Sequence, residues 1–419
     1  MSASARVSAL APFRIRAFRF QWPADLTTSW AFEMETLILG WYVLTETGSV
    51  FLLALFASLQ YVGTLISPFF GVVADRAGHG TLLSMMRAIY ATLATVIMTL
   101  ALLGMVTPLY VFVVAALMGL VRPSDMGMRA ALVGDTMPVE HLMGAMAIAR
   151  TTSDSARVAG ALTGAGLVAT LGMGAAYVAI VSLYAVSFVL TVKIARMRAA
   201  RKVPAHTPFA SSSPWRDIRE AAAYVWTTPL LLGTLCLAFL VNFCAYPVTS
   251  GLLPYVAKNV YGTDQTGLGY LVAGFAAGAL VGSITMSRRG GTIRPARMML
   301  TFCALWYVML LVFAHMDGLI AGIVALFFTG CVQSMGMVPM AALLLRNSDA
   351  RYRGRLMGLR MLAIYGLPLG LLIAGPVIAR FGYRAMATLY CTIGIAFIVL
   401  IAVRWHDHLW RRDAPANTR

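Results

Sequence analysis

The sequence predicts an all-α integral membrane protein: twelve transmembrane helices in two six-helix bundles related by pseudo-symmetry. Three observations predict it. The 419-residue chain is 60% hydrophobic and only 12% charged, against about 25% charged in a soluble domain, and its mean hydropathy is +0.79. The apolar residues lie in runs of about 20, the length that crosses a bilayer as a helix. The basic residues cluster in alternate connections between those runs, which is the positive-inside pattern. A soluble protein has no way to hide so much apolar surface, and continuous runs are not the alternation of a porin-type barrel.

The charge pattern carries the topology. The net charge of +17 would suit nucleic acid, but its placement does not. Arg6, Arg14, Arg16 and Arg19 precede the first run, and Lys193, Arg196, Arg198, Arg201, Lys202, Arg216 and Arg219 lie around the central stretch. Arg288, Arg289, Arg294 and Arg297 form a third group, Arg346, Arg351, Arg353 and Arg355 a fourth, and Arg411, Arg412 and Arg419 end the chain. The connections between these are nearly bare: 103–109 and 315–318 carry no Lys or Arg, and Lys258 is alone near Asp264. This alternation places the N-terminus, the central stretch and the C-terminus in the cytoplasm, so the number of spans is even; the expected location is a bacterial inner membrane.

The spans are expected at 22–45, 50–73, 81–104, 108–133, 143–168, 173–195, 228–256, 265–286, 298–315, 318–345, 356–379 and 385–404. The first is not a cleavable signal: it is too long, lacks an A-x-A site and contains carboxylates. The polar stretch from Arg196 to Ala221, with Pro204, Pro208 and Pro214, divides the chain near its middle. The expected division is a bundle over 1–195, a basic linker over 196–226 and a second bundle with its tail over 227–419. Within the linker, 215–226 reads as an amphipathic helix lying on the inner leaflet. Gly160, Gly172 and Ala175 recur as Gly370, Gly382 and Ala385, and Ala130-Ala131-Leu132 with Leu142-Met143-Gly144 recurs as Ala341-Ala342-Leu343 with Leu356-Met357-Gly358. Two parallel six-helix repeats place a substrate site between them near the midplane. The five cysteines all fall in apolar stretches without metal-ligand spacing, so they read as small hydrophobes.

After the second span the chain reads Gly71-Val72-Val73-Ala74-Asp75-Arg76-Ala77-Gly78-His79-Gly80. This resembles the loop 2–3 signature of the major facilitator superfamily, with His79-Gly80 in place of two basic residues. Gly40-Trp41-Tyr42-Val43 with Thr47-Gly48-Ser49, and Arg353-Gly354-Arg355 with Gly358, resemble the twelve-span drug/macrolide and siderophore exporter branch, enterobactin-exporter-like. Arg157 to Gly164 resembles the antiporter motif of the fifth span, with Ala161 where that motif has proline. The resemblance implies the major facilitator fold and a secondary transporter. It also implies a cytoplasmic gate of Gly71, Asp75, Arg76 and Gly78 against Arg353, Arg355 and Arg360 at the start of span 11.

Ionisable residues inside membrane spans are functional candidates by default. Span 4 carries Arg122, Asp125 and Arg129, and span 5 carries Arg150, Asp154 and Arg157. Each trio occupies an arc of roughly 60°, so the expectation is a charge network in which each Asp bridges Args on both helices. The open alternatives are a structural seam or a surplus of Arg facing a cavity and attracting an anionic group. Glu33 and Glu35 in span 1 stand roughly 200° apart and cannot line the same cavity; they are the proton-coupling candidates, Glu33 first. Asp25 is expected to be a gate or cap residue. The second half offers Asn242, Tyr246, Trp306, Gln333 and Tyr365, which with many Met suit the wall of a cavity for a bulky amphipathic molecule.

The expected function is proton-coupled efflux of a drug or siderophore by alternating access. The expected partners are the substrate, protons and the lipid bilayer, with no nucleic acid, no cofactor and no metal, and the chain is expected to act as a monomer. No Walker sequence is present to supply ATP drive. The alternatives are an importer or lysolipid flippase of the same fold, and, from another class, a non-transporting membrane receptor or scaffold. A membrane enzyme is weaker, since no nucleophile–base pair is visible.

Overall fold

The computed structural model describes residues 11–64, 66, 70, 73–74, 77–199, 214–289, 295–346 and 359–406. Among these there is no strand. The helices are α1 (Arg16–Thr47), α2 (Val50–Leu59), α3 (His79–Leu102) and α4 (Pro108–Thr136). Val139–Ala199 is a single helical run broken at Gly172, whose φ is 80° and ψ 174°; its two arms are α5 (139–171) and α6 (173–199). α7 is Pro214–Thr227, and α8 begins as Pro229–Leu240 and continues through π-helical turns to Val260. α9 (Gln265–Arg289), α10 (Pro295–Ala314), α11 (Leu319–Arg346), α12 (Gly366–Phe381) and α13 (Tyr383–Arg404) complete the order.

The boundaries follow from local chemistry. Pro opens α4, α7, α8 and α10, where its missing N–H costs nothing. Asp264 Oδ1 accepts the Gly267 N–H at 3.0 Å and so caps α9. Among the described residues nine helical stretches are long and apolar enough to cross a membrane, with Val50–Thr64 as a shorter apolar one. The difference from twelve has plain causes. α1 carries three carboxylates in its apolar stretch, the second span is described only in part, and the fifth and sixth count as one run across Gly172. The interior is mainly apolar, but so is much of the outer surface. Arg87 is fully buried, while Leu109, Ile320 and Val403 are well exposed, as expected where the surrounding solvent is hydrocarbon.

The helices group into two compact units. One holds the described residues of 1–39 and 60–210, the other those of 40–59 and 211–419. In the first unit, α3 packs along the 139–199 run. In the second, α2 packs along α12, and Ser58 Oγ donates to Pro368 O at 3.3 Å. The tightest seam there joins α9 to α11. A Cβ on Gly278 would stand 1.8 Å from the Phe327 carbonyl oxygen, so the two backbones meet with no room for a side chain.

The repeat read from the sequence is geometric. Arg16 and Thr47, the ends of α1, stand 213 residues before Pro229 and Val260, the ends of α8 with its π turns. Pro108, the start of α4, stands 211 residues before Leu319, the start of α11. Gly172 and Gly382 adopt matching backbones, φ 80° and 83°, at the same junction of each half.

Gly278→Ala should lower the thermal unfolding midpoint of the detergent-purified protein, in line with an overpacking cost of about 1–3 kcal/mol. Gly318→Ala, where a Cβ meets nothing within 4 Å, should leave it nearly unchanged. Equal effects at both positions would contradict the seam.

Candidate functional site

α1 presents polar groups on two faces. Asp25, Ser29 and Glu33 recur every fourth residue and share one face; Ala24, Thr28, Ala31 and Glu35 share another. The second face is sealed against α6. Thr28 and Ser187 hydroxyls hydrogen-bond, and Ser187 Oγ donates to Ala24 O at 2.9 Å. Glu35 is 3% exposed; it accepts the Tyr184 hydroxyl at 3.0 Å and the Tyr177 hydroxyl at 3.3 Å.

The first face gathers the charges. Asp25 pairs with Arg87 of α3, which is 0% exposed and also donates to Thr191 of α6. Arg129 of α4 lies 2.6 Å from Asp125 and 3.9 Å from Asp25, and donates to Ser29 Oγ at 2.8 Å. Arg157 of α5 reaches Glu33 at 3.3 Å, with side chains 38% and 20% exposed. Arg122 of α4 lies over the Phe32 ring, 3.1 Å from its centroid, with the Tyr61 ring at 5.8 Å, and donates to Gln60 Oε1.

Two expectations change here. Asp125 and Asp154 do not bridge α4 to α5: each pairs with an Arg four residues away on its own helix, Asp154 with Arg150 at 3.3 Å. The cross-helix pairs run through α1, which supplies the carboxylates that α4 and α5 Args meet. Asp25 is the counter-ion of two Args rather than a cap. Arg87 is absent from the sequence-based candidates, although a lone Arg inside the apolar stretch 82–98 is a visible signal. α5 runs through Ala161 without a break. Its close approach to α1 comes from Gly160, where a Cβ would stand 2.8 Å from Glu33 Cβ; that approach lets Arg157 reach Glu33.

Of the expected gate, Gly71, Asp75, Arg76, Arg353 and Arg355 lie outside the described residues. Gly78 has φ 85° and precedes α3, and Arg360 is half-buried. His79, in place of a basic motif residue, holds Asp135 at the end of α4 at 2.8 Å, and Gly80 lets α3 approach Ala195 of α6.

In the second unit, Gln333 donates to the Tyr246 hydroxyl at 3.0 Å, and Tyr246 meets Trp306 edge-on at 5.1 Å. Trp306 is fully buried, so it packs the bundle rather than lining open space. Asn242 turns back to the Ala238 carbonyl of its own helix at 2.8 Å, and Tyr365 immediately precedes α12. The π turns at Val241–Ala245 and Pro247–Gly251 were not foreseen. Pro247 is their signal, because it has no N–H to give the Phe243 carbonyl. Gly370 of α12 packs on that carbonyl, as Gly160 packs on α1. At the repeat offsets of 213 and 211, Tyr246 stands where α1 has Glu33, and Gln333 where α4 has Arg122.

Asp25→Asn should destabilise the protein by about 3–5 kcal/mol, since it leaves Arg87 buried without its counter-ion. The double variant with Arg87→Met should recover much of the loss in a thermal unfolding assay. No recovery would mean the pair is not the source of the effect.

Comparison with known proteins agrees with this architecture. The Major Facilitator Superfamily family model matches residues 26–369. No curated protein matches the chain. Among solved structures, a POT family transporter in complex with a thioalcohol-conjugated peptide is similar at 11% identity, with 94% of this chain and 97% of that chain covered and a TM-score of 0.71. A bacterial homolog of the human lysosomal transporter Spinster, inward-facing and unoccupied, is similar at 13% identity, 96% and 99% coverage and a TM-score of 0.70. The E. coli fucose:proton symporter FucP is similar at 13% identity, 92% and 98% coverage and a TM-score of 0.61. With the family model matching most of its length, the chain belongs to the major facilitator superfamily and is a multi-pass membrane transporter.

Proposed function

We propose that the chain is a proton-coupled secondary active transporter of a bulky amphipathic small molecule, working by alternating access, with Glu33 as its proton carrier. One observation supports this most. Glu33 is the partly open acid of α1, balanced by Arg157 at 3.3 Å, whereas Glu35 is enclosed by Tyr177 and Tyr184. An acid in a membrane interior is balanced either by a paired cation or by a proton, and so can exchange one for the other as access alternates. The membrane potential supplies about 2.3 kcal/mol per charge per 100 mV.

The efflux direction rests on the branch motifs around Trp41 and Arg355. The cytoplasmic termini rest on the alternation of basic connections, and the bacterial inner membrane on the resemblance to bacterial exporters. Asp75, Arg76 and the Args of span 11 would form the cytoplasmic gate. The Tyr246–Gln333 pair would contribute neutral polar contacts for the substrate. Import is the second reading, favoured by the excess of Arg over carboxylate around Glu33: an anion held there and a proton on Glu33 stabilise each other, and the two would move together.

In liposomes containing a pH-sensitive dye, addition of an amphipathic anionic drug or a catecholate siderophore should drive proton movement. Glu33→Gln should reduce that flux at least about tenfold. Glu35→Gln should retain most of it while lowering thermal stability, since it disturbs a hydrogen-bonded core acid. Undiminished flux in Glu33→Gln would remove the assignment.

A further inference from the structure

We propose that Arg122 is the recognition point for the carboxylate of an amphipathic substrate, with Phe32 and Tyr61 receiving the adjoining apolar part. The proposal rests on the transporter reading of this face and names the class of molecule carried.

The charges on the face do not balance. Four guanidiniums, Arg87, Arg122, Arg129 and Arg157, meet three carboxylates, Asp25, Glu33 and Asp125. Each carboxylate is taken: Asp25 by Arg87 and Arg129, Asp125 by Arg129, Glu33 by Arg157. Among the described residues Arg122 has no carboxylate within 4.0 Å. Its partners are neutral: Gln60 Oε1, which also accepts from Thr36 Oγ1 at 3.4 Å, and the Phe32 and Tyr61 rings. A guanidinium inside the membrane without a carboxylate in contact is costly, so its presence asks for a reason.

The repeat removes a structural reason. At the equivalent position of the second half stands Gln333, which makes a neutral hydrogen bond to Tyr246. The fold therefore accommodates an uncharged side chain at this place, and the guanidinium adds something packing does not need. Arg122 is half-buried rather than sealed. Its planar fork matches a carboxylate through two parallel hydrogen bonds, and one of its faces already lies on an aromatic ring.

The sign of the proton linkage follows from the charges that face Glu33. Arg157 approaches from α5, Arg122 and the Asp125–Arg129 pair lie on α4, Arg87 on α3, and Asp25 on α1 itself. A carboxylate at Arg122 adds a negative charge beside Glu33, and a proton on Glu33 removes one. Substrate and proton therefore bind better together than apart, which is the behaviour of the import reading.

The test is equilibrium binding to the full-length purified protein, using 1-naphthylacetate, 1-naphthylacetamide and 1-naphthylmethylammonium as size-matched probes. The acid should bind at least about tenfold more tightly than the amide and the ammonium more weakly still, and the preference for the acid should grow as pH falls over roughly two units. Arg122→Gln should erase the preference; Arg122→Lys, which keeps the charge should the Gln variant fail to fold, should retain part of it. Equal affinity for acid and amide, no binding of the acid, or an unchanged preference in Arg122→Gln would overturn the proposal. Carboxylate preference without Glu33-dependent proton flux would leave this site standing and remove the proton carrier; proton flux without the preference would do the reverse.

Discussion

A charge inside a bilayer must find a partner or a route to water, and most of the first unit is arranged around that constraint. Asp25 and Glu33 on one face of α1 draw in Args from α3, α4 and α5. Each such pair fixes a helix at a set rotation, because breaking it leaves a buried ion at a cost of several kcal/mol. Gly160 completes the arrangement by letting α5 approach near enough for Arg157 to reach its carboxylate. On the opposite face of the same helix, Thr28 and Glu35 have hydroxyl partners and no ion. One helix thus carries a partly open side of ion pairs and a closed side of hydroxyl hydrogen bonds.

The duplicated halves divide the chemistry unequally. The same backbone positions that hold Glu33 and Arg122 in the first half hold Tyr246 and Gln333 in the second, where they form a neutral hydrogen bond. Gly160 and Gly370 play matching parts against α1 and α8, and Gly172 and Gly382 turn the chain with the same backbone. Duplication kept the close approaches and turns, which depend on the absence of a side chain. It did not keep the charges, which are costly and are retained only where they are used.

Much of this was legible in the sequence. Hydropathy marked the helices long enough to cross a membrane. The offset glycines marked the repeat because a positive φ and a backbone contact each demand glycine. The opposite placement of Glu33 and Glu35 followed from helical geometry alone. What the sequence left open was which neighbour each face meets. Periodicity gives a direction around one helix but not the helix found in that direction. The α4 and α5 trios were accordingly expected to pair with each other, and instead meet α1. Trp306 was expected beside open space and is buried against Tyr246 for the same reason. The packing of α2 along α12 joins residues more than 300 apart in the chain, and no local pattern carries it.

The account stands on the two faces of α1 differing in their access to water. Single cysteines at positions 33 and 35, in a background with the five native cysteines replaced, can be exposed to a membrane-impermeant thiol reagent from each side of sealed vesicles. Position 33 should react, and the side from which it reacts should change with conformational state; position 35 should react from neither. Protection of position 33 from both sides, or equal reaction at the two positions, would contradict it.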